Sequence, residues 1–150
     1  MEETTKIIVF ELNTEKYGVN IEQVLSIERL QNLTQIPKSA DYVKGILNLR
    51  GEIIPIIDLK NRLEIGYTEI TDLTRVLIVS INSSKIGIMV DSATDVLDID
   101  SSTINFPPAM VAGVGKDYIS GVVTLQDKLL ILLNLENVIN AKEIKSSVKN

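Results

Sequence analysis

The chain of 150 residues contains no cysteine, no histidine and no tryptophan, and each absence closes a class of function. Without cysteine there is no disulfide framework and no thiolate nucleophile. Without cysteine or histidine, zinc, copper and haem sites lose their principal ligands, and histidine general-base catalysis is excluded as well. Long apolar runs are also missing. Nothing approaches the ~18 residues of a membrane span, and the start, MEETTK, has neither the basic region nor the apolar core of a signal peptide. Nor is there a basic excess: 15 Lys+Arg stand against 20 Asp+Glu, a net charge of -5. A nucleic-acid binder neutralises phosphates with a basic face, so neither nucleic-acid binding nor direct membrane insertion is expected. The expected compartment is the cytoplasm.

What is present is an ordinary globular composition, 45% hydrophobic and 23% charged, over a length that suits one domain spanning residues 1–150. Within it lies an internal repeat. YVKGILNLRGEIIPIIDL, from Tyr42, matches YISGVVTLQDKLLILLNL, from Tyr118, at an offset of 76 residues. Upstream, IIVFEL matches VLIVSI and KYGVNIEQVLSI matches KIGIMVDSATDV, both at an offset of 69. The seven extra residues of the second copy fall in SSTINFPPAMVAGVGKD. The halves run over about 6–65 and 75–140, with a tail at 141–150.

Short runs rich in Val, Ile and Leu, broken by Gly or polar residues, read as strands. They are Lys6–Leu12, Tyr17–Ile21, Leu25–Leu30, Gly45–Arg50, Glu52–Ile57, Arg75–Ile81, Lys85–Val90, Asp95–Ile99, Gly121–Leu125 and Lys128–Leu133. No amphipathic crossover helix separates them, so an all-β barrel or sandwich architecture is expected, with small barrels of about 70 residues. Asp58 and Asn134, at matching places, suit helix N-caps. The first opens LKNRL; the second opens a longer C-terminal helix, LENVINAKEIKSS. Short helical turns are expected at Ile21–Val24 and Ser39–Val43. Pro55 belongs at a strand edge or a bulge.

Few residues carry chemistry. Asp91, Asp95, Asp98 and Asp100 form an acidic cluster, but it lacks the glycine turn and the distant bidentate acid of a Ca²⁺ loop, which favours a solvated strand edge. The serines have no histidine to activate them and no G-x-S-x-G elbow. Gly113 and Gly115 imitate part of a phosphate loop without its full spacing, as the tip of the insertion would. No catalytic residue and no cofactor are therefore expected. The most informative difference between the halves is the turn Arg50–Gly51, whose counterpart is Gln126–Asp127. Because the fold tolerates other residues there, Arg50 reads either as a fork for a partner's carboxylate or carbonyls or as the local partner of Glu52 or Glu28. Apolar surface in excess of what small barrels bury points to an interaction module.

The blocks FELNTEKYGVNIEQVLSI, TQIPKSADYVKGILNLRGEIIPIIDL, GIMVDSATDVLDI and YISGVVTLQDKLLILLNL resemble the CheW-like family of bacterial chemotaxis coupling proteins, over roughly residues 6–140. The resemblance implies two SH3-like five-stranded β-barrels. It also implies a non-catalytic adaptor that joins the cytoplasmic tips of methyl-accepting chemoreceptors to the regulatory domain of the histidine kinase CheA, in arrays at the inner face of the membrane. The family's functional arginine falls on Arg50, the small residue opening that strand on Gly45, and the apolar residue after the turn on Ile53. Partner-contact positions fall on Val24, Ser26 and Ile27, and in the second half on Gly87, Ala93 and Val96. Ser26 stands where several relatives carry an acid. The array-contact positions fall on Asn105, Ala109 and Met110. A chain without histidine is at most the partner of a phosphorelay kinase, never its phosphodonor. Two alternatives are a regulatory domain excised from a chemotaxis kinase, and a small β-barrel enzyme or ligand binder using Asp and Tyr, which a deep pocket lined by carboxylates would support.

Overall fold

The computed structural model describes residues 3–37, 39–106 and 118–140. Within them lie ten strands: β1 (Thr4–Leu12), β2 (Glu15–Asn20), β3 (Val24–Arg29), β4 (Val43–Leu49), β5 (Glu52–Asp58), β6 (Arg75–Ile81), β7 (Ser84–Val90), β8 (Ser92–Asp100), β9 (Ile119–Leu125) and β10 (Lys128–Leu133). Each corresponds to one of the ten runs expected from sequence. Two one-turn helices, α1 (Leu59–Arg62) and α2 (Leu135–Val138), follow β5 and β10. Ile21–Gln23 forms a single 3-10 turn. Ala40–Val43 closes as a turn, not a helix, with the Val43 N–H donating to the Ala40 carbonyl at 2.9 Å. Ala109, Met110, Gly113, Gly115 and the C-terminal segment after Asn140 lie outside the described residues. Of the expected C-terminal helix, the described residues hold the single turn α2, after which Ile139 turns to extended backbone and is buried in the core.

The strands form two five-stranded SH3-like barrels, in the orders β8-β1-β2-β10-β9 and β3-β6-β7-β5-β4. The repeat unit and the barrel do not coincide. The first barrel takes the hairpin β1–β2 from the first half and β8, β9 and β10 from the second; the second barrel is the reverse. Two parallel ladders join the contributions, Leu132 opposite Gly18 in one and Ile56 opposite Gly87 in the other. These are the same positions shifted by 76 and 69, so a pseudo-twofold axis relates the barrels. Pro55 sits in an inner strand, not at an edge, just before the ladder to β7 begins at Ile56.

The continuous apolar runs IIVFEL and VLIVSI follow from this arrangement. Ile7 and Val9 face the interior of the first barrel, whereas Ile8, Phe10 and Leu12 face a core shared between the barrels. Val76 and Ile78 likewise fill the second barrel while Leu77, Val79 and Ile81 enter the shared core. A strand buried on both faces has no polar alternation to show. At the axis, the Arg62 guanidinium lies 5.0 Å from the Tyr42 ring centroid and 5.5 Å from that of Tyr118, and its Nε donates to the Val138 carbonyl at 2.6 Å. Tyr42 matches Tyr118 and Arg62 matches Val138 in the repeat, so this contact joins the halves through their own counterparts. Lys60, buried, adds a second tie through Asn13 Oδ1 at 3.0 Å and Asp91 Oδ2 at 3.1 Å.

Both caps form as the sequence suggests. Asp58 is fully buried and accepts from the Lys60 N–H at 3.1 Å, and also from the Thr68 N–H at 2.8 Å and hydroxyl at 2.7 Å. Asp58→Ala removes the cap and strands two donors, so a loss of about 3 kcal/mol is expected in urea denaturation. Asp58→Asn, which copies Asn134, is expected to lose clearly less.

Candidate functional site

The β4–β5 hairpin closes on a two-residue turn with φ +51° at Arg50 and φ +87° at Gly51, the left-handed pair of a type I′ connection. Left-handed backbone disfavours a non-glycine residue by roughly 1–2 kcal/mol. Gln126, the counterpart of Arg50, has φ +55°, so the fold imposes left-handed backbone at the first turn position in both halves but not the guanidinium. Of the two carboxylates expected near Arg50, Glu28 is the partner, with Nη2 to Oε2 at 3.6 Å; Glu52 instead pairs with Lys85 at 2.7 Å. The Glu28 side chain is 15% exposed and that of Arg50 74%. The pair therefore joins a largely buried carboxylate to a side chain that stays mostly exposed. In the first barrel the counterparts of Glu28 and Arg50 are Leu97 and Gln126, lining an open groove of about 530 Å³ with Asp95, Asp127, Lys16 and Lys128.

Beside Arg50 lies exposed apolar surface. The strand β3 alternates half-buried and exposed residues, with Leu25 52% and Ile27 43% exposed, while Ile53 on β5 is 58% exposed. Val24 pairs with Val79 and Ser26 with Ile78, leaving Leu25 as the extra residue of a bulge. Bulges recur at matching places in the other outer strands, at Lys44 in β4, Thr94 in β8 and Ser120 in β9, where they twist a strand edge out of reach of unwanted pairing. Sequence reading missed Leu25. Its signal was an apolar residue between Val24 and Ser26 in a strand that otherwise alternates, and only the bulge explains why it faces out.

The candidate residues do not form one patch. Arg50, Glu28, Ser26, Ile27 and Ile53 belong to the second barrel. Val24 packs half-buried on the shared core, as does its counterpart Ala93 in the first barrel; Val96, counterpart of Ile27, is exposed opposite Ile8 on β1. Gly45 and Gly87 are interior. A Cβ on Gly45, at φ +150°, would stand 2.5 Å from the Thr34 carbonyl oxygen, and one on Gly87 would stand 2.3 Å from Ile56 Cδ1. Gly121 and Gly18 hold the corresponding places in the other half, each with a side chain within 2.4 Å of the missing Cβ. A glycine required in both halves answers to the fold. Asn105 is exposed and bridges Val122, as Thr34 bridges Ile46.

The acidic run is occupied by local contacts. Asp98 pairs with Lys6 at 2.9 Å and Asp91 with Lys60 at 3.1 Å. Asp100 caps the turn at Ser101–Thr103, and the Ser102 N–H and hydroxyl hold its carboxyl below the usual carboxylate range. Among the described residues no three acidic side chains gather as metal ligands, and no helix is long and apolar enough to cross a membrane.

A model of the CheW-like domain matches residues 6–143. The chain belongs to the CheW-like family. It is 36% identical over 146 residues to the chemotaxis protein CheW of Bacillus subtilis, covering 95% of this chain and 92% of that protein. It is 33% identical to CheW of Treponema pallidum, covering 96% and 87%. The crystal structure of the scaffolding protein TtCheW from Thermoanaerobacter tengcongensis superposes with a TM-score of 0.84 at 35% identity, over 94% of this chain and 91% of that one. CheW-like membership makes the chain a chemotaxis adaptor and not an enzyme, and it agrees with the two-barrel fold.

Proposed function

We propose that the chain couples methyl-accepting chemoreceptors to the histidine kinase CheA without chemistry of its own. The observation that carries this reading is one difference between the barrels: an exposed Arg50 stands with exposed Ile27 and Ile53 in one, whereas Gln126 stands with equally exposed Val96 and Leu129 in the other. Receptor tips, as helical hairpins, lay an apolar stripe on Leu25, Ile27 and Ile53 with Arg50 at its polar rim. A different barrel face packs on the CheA regulatory domain. Arg62 and Lys60 tie the barrels together, so a geometry selected at one face is held at the other, and the adaptor acts by favouring one receptor–kinase arrangement. The contact is expected to bury about 1,200–2,000 Å² and to bind near micromolar. Its place in the cell is the receptor array at the inner face of the membrane.

The test is a ternary pull-down with a receptor cytoplasmic fragment and CheA. The chain is expected to retain CheA on immobilised receptor, and CheA without the chain is expected to be retained far less. Equal retention with and without it would refute the reading.

A further inference from the structure

At the end of β3, Arg29 stands directly opposite Arg75 of β6 in the antiparallel ladder. Directly opposed residues of such a pair point to the same face with Cβ atoms about 5 Å apart, and like charges there are destabilising. Neither arginine joins a salt bridge among the described residues. Arg75 donates from Nη1 to the Asp72 carbonyl at 2.8 Å and the Thr74 carbonyl at 2.9 Å, which fixes its fork without neutralising it. The two side chains line one open cavity of about 580 Å³ with Leu30, Ile70, Thr71 and Thr74, and with Asp72, whose carboxylate pairs with neither.

The repeat supplies the comparison that gives this pair meaning. At an offset of 69, Arg75 corresponds to Lys6 and Arg29 to Asp98. Those two are also opposite each other in the ladder of β1 with β8, and they form a salt bridge of 2.9 Å. The first barrel thus closes this position with its own carboxylate. In the second barrel the acid is replaced by a second cation, and among the described residues no carboxylate pairs with either arginine, which leaves both forks open to an outside acid.

Resting on the adaptor reading above, we infer that Arg29 and Arg75 bind a carboxylate-bearing segment of the receptor helix that docks on β3. Leu25, Ile27 and Arg29 are the exposed positions of that strand. Two residues along a strand cover about 7 Å, close to the 5.4 Å of one helical turn. A helix with an apolar anchor on Ile27 therefore presents the side chain one turn further on to Arg29 and Arg75, where an Asp or Glu meets two guanidinium forks.

The test compares the wild-type chain with Arg29→Asp and Arg29→Gln. Arg29→Asp recreates the ion pair of the first barrel, so its melting temperature is expected to match or exceed the wild type. Its affinity for a receptor cytoplasmic fragment, by calorimetry at 50 mM NaCl, is expected to fall at least about tenfold, with Arg29→Gln between the two. The loss of wild-type affinity between 50 and 300 mM NaCl is expected to shrink in both variants, while binding to the CheA regulatory domain stays unchanged. Equal receptor affinity and salt dependence in all three proteins would overturn the inference and leave the adaptor reading standing. A loss confined to CheA would overturn the assignment to the receptor. A wild-type chain that binds no receptor fragment would overturn both.

Discussion

Alanine at Gly45 is expected to destabilise the chain by about 2–4 kcal/mol, read as a shift of the urea midpoint. The new Cβ would sit 2.5 Å from the Thr34 carbonyl oxygen and 3.1 Å from its carbon. Those are backbone atoms, fixed by two hydrogen bonds between Thr34 and Ile46 at 3.0 and 2.8 Å. Relief requires breaking that bridge, and φ +150° strains any side chain there in addition. Gly51 is the control: at φ +87° a Cβ would meet nothing within 4 Å, so Gly51→Ala bears only the backbone penalty of about 1–2 kcal/mol. A Gly45→Ala chain as stable as the wild type would show that β4 and Thr34 do not approach as described. Binding lost on replacing Gly45, including by Asp, then reports a damaged strand before it reports a damaged interface.

Arg50→Asn is expected to do the opposite, keeping the fold and losing the partner. Asparagine followed by Gly51 is the preferred pair for a type I′ turn, so the left-handed strain at position 50 is relieved. The Glu28 contact, at 3.6 Å with a largely exposed guanidinium, contributes at most about 1 kcal/mol. The two changes offset, and the melting temperature is expected to move by no more than a few degrees. Receptor affinity is expected to fall more than tenfold, because an arginine at the rim of an apolar contact is a frequent hot spot. A large drop in melting temperature would instead make Arg50 a structural residue that happens to be exposed.

The parts of the fold that depend on local pattern were legible in the sequence. Ten strands, two N-caps and the repeat follow from short apolar runs, from Asp58 and Asn134, and from an ordered self-match. The exchange of strands between halves was not legible. Hydrophobic patterning says which residues are buried, not against which partner. Because β5 and β10 carry the same pattern, pairing β10 with β2 or with β7 satisfies it equally. The short α2 escaped for a related reason, since Ile139 suits a helix as well as it suits the core that claims it. Pro55 was misplaced because its ladder to β7 starts only one residue later. At the site, Arg50 could be singled out because the halves differ there, whereas Arg29 and Arg75 stand out only once the ladder of β3 with β6 sets them opposite each other. Gly45 and Gly87 drew attention as family positions, yet Gly121 and Gly18 in the other half explain them sterically.

The central claim is that the chain works by bridging, with Arg50 at the receptor contact. The direct measurement is CheA autophosphorylation in the presence of receptor membranes, with the wild-type chain or Arg50→Asn added at equal concentration. Wild-type protein is expected to bring the kinase under receptor control. Arg50→Asn, with an unchanged melting temperature and intact binding to the CheA regulatory domain, is expected to leave the kinase uncoupled. Full coupling by the folded Arg50→Asn chain would contradict the account.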